Sequence, residues 1–509
     1  MIAKIAKPKI QLSLSDPGMT MLHRVGVEGL YTSLKALEKL YPTLKSRQGK
    51  FQWHLTNHSI SLNWEGLDYE AIDWLLKKSF QISKSGLISL VGLNSQTFEN
   101  QLITHIGISN TFLQHTSVLK FGDKVSQSIS IDGLEVIVNY KKARIYAHQN
   151  FAKKLCNTKG QLLTKHIGIK GWLYPGATVK HEAFTAQTQF KETVERVIAL
   201  LFAPVACLYF IVPKSHLHNT KTKYCLVVPD VFDLKHCARQ RQKINRWDYL
   251  KFVASGNSDA GLQLISQQAK SNFVRENNSQ RCQVITFGKT QWSNAQKVRK
   301  NVETIEITDR IVRHYQLCDR YIHNRVVKWR DGNFIASNSI RELITENLVR
   351  KLPWWSNFVS AVRSKDLFKL VNYEREGLRK MVKQADWDVE VHKLFIKAFH
   401  EALSRIYAKL YSQAGEGDFV QIEKENERIR ISLVRCQSYK AFRHFMASFL
   451  TKAGSNSVYI NHQEELTPLV THPKHWELSR DLALLALVSY KTKKQKEEER
   501  RATSALSTK

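Results

Sequence analysis

The chain has 509 residues, too many for one ordinary domain, and its 43% hydrophobic content excludes a disordered protein. Lysine and arginine number 77 against 45 aspartates and glutamates, a formal net charge of +32. An excess of that size points to a polyanionic partner, and nucleic acid is the usual one. The seven cysteines (Cys156, Cys207, Cys225, Cys237, Cys282, Cys318 and Cys436) are odd in number and dispersed. No zinc ribbon or disulfide frame is readable from them, so buried, reduced thiols in a cytosolic protein are expected.

The first residues, MIAKIAKPK, carry no apolar core of signal-peptide length. Ile10, Leu12 and Leu14 alternate with polar residues and predict a strand. Asp16-Pro17-Gly18 then reads as a turn and helix opener. Leu22, Val25, Leu30, Leu34 and Leu37 follow at near-helical spacing. Gly26 and Gly29 sit inside that helix, each costing about 1 kcal/mol against Ala, which implies that another chain approaches closely there. His23-Arg24 is the charged step beside them.

Residues 51–140 alternate short strands and short helices. FQWHLTNHSISLNW places Ile60, Leu62 and Trp64 in phase, AIDWLLKKSF is helical, and Ser126 to Tyr140 reads as a hairpin turning at Asp132-Gly133. The longest apolar run, Val197 to Val212, is too short to span a bilayer. It reads as a helix end, a break at Pro204 and a buried strand, VACLYFIV. A polar tip follows, with Asn219, Lys221 and Lys223, then a second strand, YCLVVPDVF. Next come a basic helix with Lys235, Arg239, Arg241, Lys243 and Arg246, and a loop at Gly256–Gly261 that includes Asn257 and Ser258. After the strand QVITFG a basic segment carries Lys289, Gln291, Trp292, Asn294, Gln296, Lys297, Arg299 and Lys300.

From about residue 338 helical signals dominate. Phe395, Phe399, Leu403 and Ile406 belong to one apolar stripe, and Phe442, Met446 and Phe449 to another. The polar faces carry Arg428, Arg430, Arg435, Lys440 and Arg443. The last helix, DLALLALVSY, is entered through Asp481, and the charged end from 491 to 509 reads as a frayed tail. The fold class expected is α+β: an irregular mixed N-terminal α/β part over 1–337, then a C-terminal helical bundle over 338–490.

Most enzymatic readings fail on inspection. Gly171-Trp172-Leu173-Tyr174-Pro175-Gly176-Ala177-Thr178 has the glycine spacing of a phosphate loop but lacks its lysine. His400-Glu401 begins a zinc-protease pattern whose second histidine position holds Ser404. No catalytic residue, metal ligand or cofactor is expected. Clustered cations suit phosphates, and polar loop tips such as those at Asn219 and Asn257 suit base edges.

LSLSDPGMTMLHRVGVEGL, then Gly171–Gly176 with His181, then Phe287-Gly288 with Trp292, occur in an order that resembles the large subunit of type I CRISPR Cascade effectors, in the Myxan-type form of type I-B systems. The resemblance covers most of the first three hundred residues, and the C-terminal third matches only in helical character. It implies a non-catalytic, cytoplasmic protein without membrane contact, in which guide pairing reads sequence and protein reads a short adjacent motif. The N-terminal part would contact the guide RNA handle and the backbone and handle-binding subunits, with His23 and Arg24 as candidates. It would also read the protospacer-adjacent motif on double-stranded target DNA and start unwinding. Motif-reading candidates are Asn219, Lys221, Lys223, Asn257, Ser258, Gln291 and Asn294. Phosphate candidates are Arg239, Arg241, Lys243, Arg246, Lys289, Lys297, Arg299, Lys300, Arg428, Arg430, Arg435, Lys440 and Arg443. The C-terminal bundle would resemble the small subunit and stabilise the R-loop. The partner recruited would be a helicase-nuclease or a TniQ transposition adaptor. A nuclease or transposase component and a free-standing RNA-binding protein are the alternatives. In related systems the small subunit can arise by internal initiation, and Met381 is placed for it: codons for Glu376-Gly377 can supply a ribosome-binding sequence just upstream.

Overall fold

A computed structural model describes residues 8–175, 190–213, 222–269, 280–288, 299–328, 332–387, 389–413 and 420–491. The chain forms two compact units, Met1–Asp309 with Asn324–Ser337, and Arg310–His323 with Asn338–Lys509. The first is mixed α+β and the second helical, as the alternation and helical stripes predict.

In the first unit β1 (Ile10–Ser13), β2 (Gln52–Leu55) and β3 (Ser59–Asn63) form an antiparallel sheet in the order β1-β3-β2. Ile10 and Leu12 lie opposite Leu62 and Ile60, and all four are buried. Asp16-Pro17-Gly18 does not open the helix. The Asp16 carboxylate accepts from the Ser13 amide at 2.8 Å and closes the turn, and Thr20 caps α1 (Met21–Leu40). α1 is buried on nearly every side. At Gly26 and Gly29 it crosses α4 (Val194–Ala206): a Cβ at either position would overlap the carbonyl of Ala199 or Phe202. The close approach inferred from those glycines is therefore made by a helix of the same chain.

Pro204 does not break α4. It falls in the last turn, and the helix continues to Ala206 because burial on α1 outweighs one missing backbone donor. The strand begins only at Leu208. α2 (Asp68–Ser79) and α3 (Phe98–Asn110) pack around this centre. β4 (Leu119–Ile131) and β5 (Leu134–Tyr146) form the expected hairpin, with Asp132 and Gly133 both at positive φ in its two-residue turn.

β6 (Leu208–Val212), β7 (Lys223–Pro229), β8 (Gln280–Gly288) and β9 (Arg299–Ile307) make a four-stranded antiparallel meander. β9 is unexpected, because its first residues read as a basic segment. α5 (Leu234–Ile244) and α6 (Asn257–Ala269) connect β7 to β8. Gly256–Gly261 is not a loop, since α6 already begins at Asn257.

The helical unit contains α7 (Asp309–Tyr321), α8 (Ser339–Val349), α9 (Arg375–Gln384), α10 (Glu390–Gln413), α11 (Val420–Arg435), α12 (Tyr439–Ala453), α13 (Gln463–Thr471) and α14 (Trp476–Ser489). α14 is its axis, with Leu482 to Val488 all buried and α9 to α13 packed about it. Phe399 and Phe449, one from each predicted stripe, stack at 4.3 Å. Asp481 does not open this helix, which starts five residues earlier. Its carboxylate instead accepts from the Val359 amide at 3.1 Å.

All seven cysteines are buried and none is paired with another, and burial pushes the Cys156 thiol up to about 11. Among the described residues no helix is long and apolar enough to cross a membrane.

Candidate nucleic-acid interface

The meander brings the described residues of two basic stretches, Lys223 with Arg299 and Lys300, to one end of the sheet. Val212 pairs with Lys223, Tyr224 with Phe287, and Gly288 with Arg299. Val212, Lys223, Gly288 and Arg299 therefore line one end of the sheet, and Lys300 follows opposite Phe287. Lys223 is exposed there. Asn219, Lys221, Lys289, Gln291, Asn294 and Lys297 lie outside the described residues.

Helix α5 sorts its cations between water and core. Lys235, Arg239 and Lys243, with Arg246 just beyond, are exposed. Arg241 is 4% exposed, and its guanidinium donates to the Val205 carbonyl at 3.3 Å and to the Asn245 side chain. Burial lowers its pKa to about 10, and the same desolvation raises buried Glu28 on α1 to about 8, against the pull of the Arg241 charge. Arg241 is thus a strut between helices and cannot meet a phosphate as the fold stands.

His23 is corrected for the same reason. It is fully buried, with Nδ1 2.8 Å from Thr20 Oγ1, whose oxygen also accepts from the Tyr174 hydroxyl at 2.8 Å. Glu192 lies 3.4 Å from Nε2, but Arg196 takes up that carboxylate at 3.2 Å. Burial, helped by the Arg196 charge, holds the imidazole down at about 4. Arg24 is part-exposed and faces Asp230 at 3.6 Å, which also pairs with Arg281 at 2.7 Å. Asn257 and Ser258 are not loop tips. Asn257 accepts from the Cys225 thiol at 3.3 Å and donates to Thr286 at 3.5 Å, while Ser258 is buried in the first turn of α6.

Two more histidines share the fate of His23. His105 accepts from the Ile88 amide through Nδ1 at 3.1 Å, and burial lowers it to about 4. His148 packs against Phe80, Tyr146 and Trp172, with neither ring nitrogen hydrogen-bonded among the described residues, and burial lowers it to about 3. A base depressed below its unfolded value of 6.5 favours folding fully above that pH, and this contribution is lost as pH falls towards the folded value. Each unit of displacement is worth about 1.4 kcal/mol. The first unit is therefore expected to unfold between pH 6.5 and 4 with uptake of about three protons. His148→Phe should reduce that uptake by about one in the slope of unfolding free energy against pH, and an unchanged slope would refute the assignment.

In the helical unit Arg428, Arg435, Lys440 and Arg443 are exposed along α11 and α12. Arg430 is corrected: it is 5% exposed, clamped by Glu427 and donating to the Val362 carbonyl at 2.8 Å.

Two family models match the chain, the DevT N-terminal domain over residues 11–201 and the DevT C-terminal domain over residues 383–508. Together they cover more than half of it, in order. The chain carries both DevT domains. It is also 25% identical to the CRISPR-associated protein Cas8a1/Csx13 of Myxococcus xanthus (strain DK1622), over 95% of this chain and 89% of that protein. The resemblance read from the N-terminal motifs agrees with that name. On the structure, the DevT N-terminal match runs from β1 into α4 and so encloses the Gly26–Gly29 crossing. The sheet end with Lys223 and Arg299 lies between the two DevT matches.

Proposed function

We propose that this DevT protein is the large subunit of an RNA-guided CRISPR Cascade complex and carries no catalytic step of its own. The observation that carries the reading is the match along nearly the whole chain to a CRISPR-associated protein, joined to a net charge of +32. The partners are a guide RNA, double-stranded target DNA, the backbone and handle-binding subunits, a small subunit, and a helicase-nuclease or TniQ adaptor, all in the cytoplasm. The sheet end at Lys223 and Arg299 is the region that reads the protospacer-adjacent motif and begins unwinding. Asn219, Lys221, Gln291 and Asn294 serve as base readers, and Lys289, Lys297, Arg299 and Lys300 hold phosphates. The exposed cations of α5 add further phosphate contacts. Those of α11 and α12 hold a separated strand of the R-loop.

RNA co-purifying with the native complex tests the identity: guides sharing one handle are expected, and a heterogeneous population would favour the free-standing RNA-binding alternative. Metal-dependent cleavage of naked DNA by the purified chain would favour a nuclease. For the surface itself, Lys297→Ala with Arg299→Ala should weaken duplex binding about equally for all sequences. It should also lower the salt slope by about one unit per lost contact, and an unchanged slope would count against direct contact.

A further inference from the structure

The turn after α1 builds a second surface of different chemistry. Phe51 is fully buried and gathers three tryptophans at its rim: Trp64 stacked at 5.2 Å, Trp74 at 5.8 Å and Trp53 at 6.2 Å. Tyr41 meets Trp74 edge-on at 5.5 Å. Trp53, Trp74 and Tyr41 are only half-buried, and Trp53 stands on β2, an edge strand of its sheet. The guanidinium of Arg47 lies 4.0 Å from the centre of the Trp53 ring. Its Nε donates to the Tyr41 carbonyl at 2.7 Å and its Nη1 to the Phe51 carbonyl at 3.3 Å. Lys78 sits 5.4 Å over the Tyr41 ring. Among the described residues no carboxylate lies within ion-pair distance of Arg47, Lys78 or the exposed Lys45: the Glu38 charge is felt by Arg47, but that carboxylate pairs with Lys35 at 3.0 Å, and Lys50 and Lys77 close by are matched by Glu65 and Asp73 at 2.7 Å.

A ring cluster built only for packing would be covered, or rimmed by balanced charge. Here half-open rings carry surplus cations, and one guanidinium plane is fixed before any ligand arrives. That is the chemistry of a base-stacking platform with phosphate contacts. We propose that Arg47, Trp53, Trp74, Tyr41 and Lys78 form a binding site for single-stranded nucleic acid. The exposed Leu40 and Leu44 nearby would suit a protein partner, but Lys45, Arg47 and Lys78, none of them in an ion pair among the described residues, favour a polyanion. The proposal deepens the nucleic-acid reading above, yet its test needs no guide complex.

The test uses the purified full-length chain and fluorescent oligo(rU), oligo(dT) and a duplex of equal length, read by anisotropy. Arg47→Ala with Trp53→Ala should weaken both single strands about tenfold and leave the duplex unchanged. A loss greater for oligo(rU) would identify RNA as the occupant, and one greater for oligo(dT) a DNA strand. Unchanged single-strand affinity would overturn the site and leave a protein as its partner. Should that variant fail to fold, ultraviolet cross-linking of the wild-type chain to 4-thiouridine RNA and 4-thiothymidine DNA decides. Adducts within residues 41–78 support the site, and adducts only elsewhere overturn it.

Discussion

Arg241→Ala is expected to destabilise the N-terminal unit by about 3–5 kcal/mol, whereas Arg239→Ala, two residues away, should leave stability unchanged. Loss of the guanidinium opens a cavity beneath α5. It strips a donor from the Val205 carbonyl near the end of α4, and it removes the positive charge felt by buried Glu28. The sign with pH is fixed by Glu28. Its folded pKa of about 8 lies above the unfolded value of 4.5, so the folded state keeps a proton that the unfolded state releases. Its contribution is full below pH 4.5 and is lost as pH rises through 8. Without Arg241 that pKa climbs further and the loss continues to higher pH, so the deficit of the variant should be larger at pH 9 than at pH 6. Urea denaturation at the two pH values measures it. DNA binding gives the complementary contrast, since only the exposed Arg239 can alter the salt slope. Equal stability of the two variants would overturn the strut.

That contrast also marks what the sequence discloses. Alternation at Ile10, Leu12, Ile60 and Leu62 is legible because a strand with one buried face must repeat every second residue. Asp132-Gly133 is legible because few residue pairs accept a two-residue hairpin turn. The α+β division was legible, since strand and helix impose different periods on the apolar residues. The facing of a cation is not legible from composition. Arg239 and Arg241 look alike until Val205 and Asn245 supply acceptors from distant parts of the chain, and Arg430 until Val362 does. The same blindness hid His23, whose burial depends on Glu192 and Tyr174 far along the chain. Turn-forming residues also misled. Asn257-Ser258-Asp259 resembles a loop, yet Asp259 accepts from the Ser255 amide at 2.8 Å and settles the start of a helix. The Trp53 platform did have a signal, aromatic residues interleaved with Lys45, Arg47 and Lys50, but it is short beside the larger basic runs.

A second product from the same gene is expected, beginning at Met381 and comprising residues 381–509, and Met381→Leu should abolish it. Met381 lies fully buried in α9, and the DevT C-terminal match begins two residues later, at Lys383. The fragment keeps α10 to α14, including the stacked Phe399 and Phe449 and the buried axis from Leu482 to Val488. It loses the first six residues of α9. It also loses the Val359 amide that donates to Asp481 and the Val362 carbonyl that accepts from Arg430. Two groups buried in the full chain are thereby uncovered on one side, so the fragment should be stable enough to fold but less stable than the same helices in the whole protein. Met→Leu nearly conserves volume in the core and should cost less than about 1.5 kcal/mol, so the full-length chain survives the substitution. Intact-mass analysis of complexes from the wild-type and variant genes reads the outcome. A basic fragment starting at Met381 in the first and missing from the second is the expected result, and full-length protein alone in both would sink the idea.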